Sequence, residues 1–89
     1  MAKRFIYLHA VKKDYQQQGK IFFECLGYAK ATKATRDKID RLCAEVGGIH
    51  AKALKAFLTS DADMQYISTK YFVSVQTLDR LRRQFYERW

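Results

Sequence analysis

The stretch Met64-Gln65-Tyr66-Ile67-Ser68-Thr69-Lys70-Tyr71-Phe72-Val73-Ser74-Val75-Gln76-Thr77-Leu78-Asp79-Arg80-Leu81-Arg82-Arg83 decides how this chain is read. Met64, Ile67, Ser68 and Tyr71 recur at helical spacing and mark one face of a helix. Leu78, Leu81 and Phe85 mark the buried stripe of a second helix, which runs from about Val75 to Trp89. Phe72-Val73-Ser74 breaks the first pattern before the second begins. Ser74 is placed to cap the second helix, with Val73 and Leu78 as its hydrophobic staple. Just upstream, Ser60-Asp61-Ala62-Asp63 reads as a capping box with Asp in place of the usual Glu or Gln.

Working outward, the same periodicity recurs. A helix from about Ile49 to Leu58 buries Ala53, Leu54, Phe57 and Leu58. Before it, Ile39, Leu42, Cys43 and Val46 form one stripe. Thr35 is its expected N-cap, Asp37 favours the first turn, and Gly47-Gly48 ends it. An earlier helix spans Tyr15 to about Lys30, capped by Asp14, with Phe22, Cys25, Leu26 and Ala29 on its apolar face. Residues 5 to 11, Phe-Ile-Tyr-Leu-His-Ala-Val, are too short for periodicity to separate strand, extended arm and helix. Proline is absent and there are four glycines in 89 residues, which favours helices over a turn-rich β fold. The expectation is one all-α domain of about five helices over residues 1–89. Residues 1–13 form an arm or tail, 14–46 the N-terminal helices, and 49–89 a trihelical unit.

Charge narrows the partners. Seventeen Lys and Arg against nine Asp and Glu leave +8, densest in residues 1–33, where seven basic groups face two acidic ones. Such an excess points to polyanions. No run of 18 apolar residues is present, so no membrane span is expected. The apolar part of Met1-Ala2-Lys3-Arg4-Phe5-Ile6-Tyr7-Leu8-His9 is too short for a signal peptide, which favours a cytoplasmic, nucleoid-associated protein. Cys25 and Cys43 sit in amphipathic segments and read as buried reduced thiols. The two Cys and two His lack metal-site spacing, so no metal or cofactor is expected. His9 and His50 have no carboxylate pair, phosphate loop or nucleophile motif beside them. An enzyme is not expected.

Residues 64–83 resemble the helix-turn-helix of small bacterial and phage regulators. In that motif apolar side chains pack the helix pair, and here they fall on Ile67, Tyr71, Val73, Leu78 and Leu81. The small residue at the helix crossing is Ser68, and the Ser that commonly starts the second helix is Ser74. One position departs. The family's tight turn usually has Gly, in a left-handed conformation, where this chain has Phe72. A bulky residue there costs about 1 kcal/mol. Either the turn takes another geometry or packing holds Phe72.

The resemblance implies sequence-specific double-stranded DNA binding by a small transcriptional regulator, with the last helix in the major groove. Its exposed face offers Ser74, Gln76, Thr77, Arg80 and Arg83 to base edges. Gln pairs with adenine and Arg with guanine. Phosphate contacts are expected from Lys70, Lys52, Lys55 and Arg82, with Lys3 and Arg4 as an arm. A homodimer on two half-sites is compatible with this. Two other readings stand beside it. One is a protein–protein module, or a recombination or packaging accessory, that docks a partner through the Phe85/Trp89 end. The other is RNA or single-strand binding through the basic, aromatic N-terminal third.

Overall fold

The computed structural model describes residues 3–89, and those residues contain five α-helices and no strand. The helices are α1 (Tyr15–Leu26), α2 (Lys33–Gly47), α3 (Ala51–Thr59), α4 (Met64–Tyr71) and α5 (Val75–Arg88). Short 3-10 turns at Tyr28–Lys30 and Gly48–His50 flank α2. The all-α reading holds. α3 is central and packs on α1, α2, α4 and α5. Its Ala53, Leu54, Phe57 and Leu58 are all buried, as their spacing predicts. Every helix adds side chains to the same core, and Leu8 and Val11 add to it from the N-terminal segment.

Helix ends show where local sequence rules hold and where competition decides. Asp14 caps α1 in a full capping box with Gln17. Ser74 caps α5, its hydroxyl accepting from the Thr77 N–H at 3.1 Å. Val73 and Leu78 are both buried, as a staple requires. Gly48, at φ 54°, closes α2; that backbone conformation suits Gly because it carries no Cβ.

Other boundaries move. The cap of α2 is Thr32, not Thr35: the Thr32 hydroxyl accepts from the Thr35 N–H. The cap of α4 is Asp63, whose carboxylate accepts from the Tyr66 N–H at 2.8 Å. Ser60 does not open that helix. Its hydroxyl donates back to the Ala56 carbonyl and accepts from the Ala62 N–H, closing the end of α3 instead. α3 starts at Ala51, and Ile49 is 96% exposed in the turn before it. α1 stops at Leu26, because Gly27 follows and costs helix stability. Its buried face is Gln18, Ile21, Phe22 and Cys25, so Ala29 lies outside the helix and is exposed.

Phe72 adopts φ 56°, ψ 45°, the left-handed conformation, and is the one non-Gly residue with positive φ among the described residues. The Val73 N–H reaches back to the Ser68 carbonyl at 3.1 Å, which is the Schellman way of ending a helix. The turn thus has the geometry that Gly would serve. Packing does not hold Phe72, whose side chain is 94% exposed. Among the described residues no side-chain packing offsets the strain. Phe72→Gly is therefore expected to raise stability by about 0.5–1 kcal/mol, and Phe72→Ala, which keeps a Cβ, to gain less. Denaturant midpoints of the three proteins check this; a loss in the Gly variant would show that the Phe72 ring is held by contacts after all.

Residues 3–13 are neither a free arm nor a frayed tail; the first two residues of the expected arm lie outside the described residues. Gln18, fully buried in α1, accepts from the Leu8 N–H at 2.8 Å. Its amide donates to the Leu8 and Lys13 carbonyls at 3.1 and 2.9 Å. The Lys12 N–H donates to the Glu87 carboxylate, which ties this segment to the end of α5 as well.

Candidate nucleic-acid interface

α5 carries its apolar stripe inward, with Leu78, Leu81, Phe85 and Tyr86 buried. That fixes which side chains face out. Gln76 and Arg80 are exposed, and neither forms a side-chain hydrogen bond or ion pair among the described residues. Four residues apart, they share one face and are separated by about 6 Å along the axis. Ser74 and Thr77 stand at the helix start. The Ser74 hydroxyl donates to the Thr77 hydroxyl at 2.8 Å while capping the helix, so its acceptor role is already used locally. The Thr77 hydroxyl proton remains for an outside acceptor.

The three arginines of the second and third turns differ. Arg80 is unpaired. Asp79 takes both Arg82 and Arg83 as ion partners. Arg83 is still half exposed, with its charge partly neutralised. Arg82 has only 16% of its side chain exposed, and its guanidinium lies 5.5 Å from the centre of the Phe57 ring. It faces the interior and is not a surface phosphate contact. The reason is helical geometry: Leu78, Arg82 and Tyr86 form one i, i+4 row, and both ends of that row are core.

The other basic groups divide in the same way. Lys52, Lys70 and Arg4 are exposed. Lys70 lies 5.6 Å from the Tyr71 ring centre and 5.9 Å from that of Tyr66. Lys55 is engaged: it pairs with Asp40 at 2.8 Å and contacts the Tyr28 hydroxyl at 3.0 Å. Tyr28 in turn donates to Asp40 at 2.9 Å, so three elements meet at one polar cluster. Lys55 is pushed up to about 12, first by the Asp40 hydrogen bond and then by Tyr28. Lys3 is not a free arm residue either. Its ammonium caps the end of α3 through the Phe57 and Ser60 carbonyls, and it sits 3.9 Å over the Phe57 ring.

The C-terminal aromatics do not form an open docking end. Phe85 and Tyr86 are buried, and Trp89 packs on Phe85 with ring centres 5.8 Å apart. Lys38 of α2 covers the Trp89 ring at 4.0 Å. At the other end of the chain, Phe5 packs on Tyr15, Phe22 and Phe23 at 5.2, 5.5 and 6.5 Å. Tyr15 and Phe23 are nevertheless exposed.

The sequence matches no family model, and no curated protein and no solved structure is similar to it. The reading of this surface therefore rests on its own chemistry. Among the described residues no group of His, Cys, Asp and Glu is arranged to hold a metal ion. No helix among them is long and apolar enough to cross a membrane. His9 packs against the Tyr7 ring at 4.9 Å, and His50 occupies the N-cap position of α3 without a side-chain capping bond.

Buried titratable groups predict the pH dependence of stability. Burial pushes the Cys25 and Cys43 thiols and the Tyr86 phenol up to about 12. The folded state then keeps protons that the unfolded thiols release near pH 9.0 and the phenol near 10.0. Their stabilisation is full below pH 9.0 and drains away as pH rises toward 12. Lys3 runs the opposite way. Burial first, and the Arg82 charge second, push it from 10.5 down to about 8. Its contribution is full above 10.5 and is lost as pH falls through about 8. Stability should rise between pH 8 and 9 and fall above that, where three groups oppose one. Denaturant midpoints across this range check the curve; a fall without the initial rise would mean that Lys3 is solvated.

Proposed function

We propose that this protein binds double-stranded DNA in a sequence-specific way, as a small regulator of the helix-turn-helix kind, with α5 in the major groove. The observation that supports this most is the turn between α4 and α5. Phe72 takes the left-handed conformation that the motif's tight turn needs, at the position where the motif needs it. Many helices end in such a turn, but with Gly; a Phe there is uncommon and bears strain. The buried stripe of α5 leaves Gln76 and Arg80 exposed and Thr77 half-exposed in its first two turns. A helix about 10–12 Å across fits a major groove about 12 Å wide. Arg80, unpaired, is the leading candidate to read guanine, and Gln76 to read adenine. Lys70, Lys52 and Arg4 supply phosphate contacts. Arg83 contributes after exchanging Asp79 for DNA.

The test is selection from a randomised duplex pool at about 150 mM salt, beside single-stranded DNA and RNA pools. Enrichment of a short duplex motif supports the reading, and a two-fold repeat within it would indicate a dimer. Preference for the single-stranded pools would transfer function to the exposed Tyr15 and Phe23 face. On the enriched duplex, Arg80→Ala should cost about 1–3 kcal/mol at one base pair and leave the other positions unchanged. Lys70→Ala should weaken all sequences alike and lower the salt slope by about 1. Equal loss on every sequence in the Arg80 variant would reassign Arg80 to a phosphate.

A further inference from the structure

A cavity of about 510 Å³ lies between the N-terminal segment, α1, α3 and α5. That is within the size range of small-molecule sites and large for so short a chain. Phe22, Leu58 and Met64 give it apolar walls. Its polar groups are unusual. The Phe57 ring is flanked by two cations, the Lys3 ammonium at 3.9 Å and the Arg82 guanidinium at 5.5 Å.

Neither cation is fully satisfied. Asp79 takes one end of Arg82, but the Arg82 Nε–H is buried and has no acceptor among the described residues. A buried donor without a partner costs stability; the part of Arg82 that a ligand could meet is the edge of its guanidinium that lines the cavity. Lys3 donates to two carbonyls, which leaves one of its three N–H groups for another acceptor. Burial and the Arg82 charge both disfavour its protonated form, and an anion beside it would reverse this. Two carboxylates, Asp61 and Asp63, also line the cavity, but both are exposed, so solvent screens their charge. Asp61 accepts from the Lys3 backbone N–H, and Asp63 caps α4. Arg4 at the cavity edge adds a further positive charge.

We infer that this cavity binds a small amphipathic monoanion, with its carboxylate-like head between Lys3 and Arg82 and its apolar body along Phe22, Leu58 and Met64. Head and walls match in both respects: the cavity offers two cations at one place and hydrocarbon elsewhere. The site touches α4 through Met64 and α5 through Arg82, so occupancy bears on the helix pair next to it. The inference stands on the cavity alone and holds whether or not α5 meets DNA.

Calorimetric titration of the full chain with decanoate, and with decanol as the uncharged probe of equal length, tests it. One decanoate should bind per chain, at least about ten-fold more tightly than decanol, because a charge-assisted pair is at stake. Binding should take up a proton when measured above pH 8, where Lys3 is largely neutral. Arg82, Cys25 and Asp61 are the other charged or titratable groups that act on Lys3, and burial holds the Cys25 thiol protonated up to about 12. Lys3→Met should weaken decanoate binding about ten-fold or more and leave decanol unaffected. Lys3→Arg should keep decanoate binding and abolish the proton uptake. Met64→Trp, which fills the cavity and spares both cations, should block both probes, and its helical ellipticity reports that it folds. No decanoate binding, equal affinity for the two probes, or undiminished binding in Met64→Trp would each overturn the inference.

Discussion

Phe85→Ala is expected to cost about 3–5 kcal/mol of folding stability. Phe85 is fully buried on α5, where its ring meets Trp89 at 5.8 Å. Truncation removes the transfer energy of the ring and leaves a cavity that fixed helices cannot close. A chain of this length has about 4–13 kcal/mol in total, so the loss is a large fraction of it. The melting temperature should drop by about 12–40 °C, since about 4–8 °C follows each kcal/mol in a domain of this size. Thermal melting followed by helical ellipticity measures it. The result separates two roles for the end of α5. A residue kept for docking a partner would be worth less than about 0.5 kcal/mol to the free chain. A change that small would return Phe85 to the surface and reopen the docking reading.

Gln18→Leu should cost about 2–4 kcal/mol although it replaces a polar side chain by an apolar one of similar size. Gln18 is the one buried polar residue among the described residues, and its three hydrogen bonds all go to backbone groups of residues 8 and 13. Leu satisfies none of them. The Leu8 N–H, buried under α1, would be left without an acceptor, at about 1–3 kcal/mol, and two carbonyls would lose a donor. The effect should be local before it is global. Amide exchange at Leu8 should accelerate strongly while the α3 amides stay protected until the whole chain opens. Unchanged exchange at Leu8 would mean that water or another group replaces Gln18, and that something else pins the segment. Because Lys3 lies on this segment, the same variant should also loosen the cavity between it and α5.

Much of the helical layout was legible from spacing alone. The stripes Ile39–Leu42–Cys43, Ala53–Leu54–Phe57–Leu58 and Leu78–Leu81–Phe85 all face the core, because one period of 3.6 residues and one interior leave little choice. Asp14 and Ser74 cap as their positions suggest, since an N-cap bond is made within four residues and needs no tertiary partner. Where two capping residues lay close together, spacing failed. Thr32 prevailed over Thr35 and Asp63 over Ser60, because the cap goes to the residue at which the chain turns extended, and packing sets that point.

The candidate surface was half legible. Gln76 and Arg80 are exposed because the residues that bury α5 are strongly apolar and fix its rotation. Arg82 was not legible as an interior group. Its row, Leu78 and Tyr86, gave a hint, but a positive charge is assigned to solvent until a Phe57 ring and an Asp79 carboxylate are seen to receive it. Gln18 and Lys3 had no local signal at all. Their partners lie on backbone groups brought near by the fold, 10 residues away for Leu8 and 54 for Phe57. Periodicity within one helix records which side faces inward. It carries no record of which distant polar group waits there. The sequence by itself thus determined the all-helical class, the buried faces of α2, α3 and α5, and most of the outward face of α5. Only the tertiary structure decided that residues 3–13 are strapped down, that Phe72 bears a strain no packing among the described residues offsets, and that two cations share one cavity. Those depend on contacts between segments far apart in the chain, which no short-range pattern encodes.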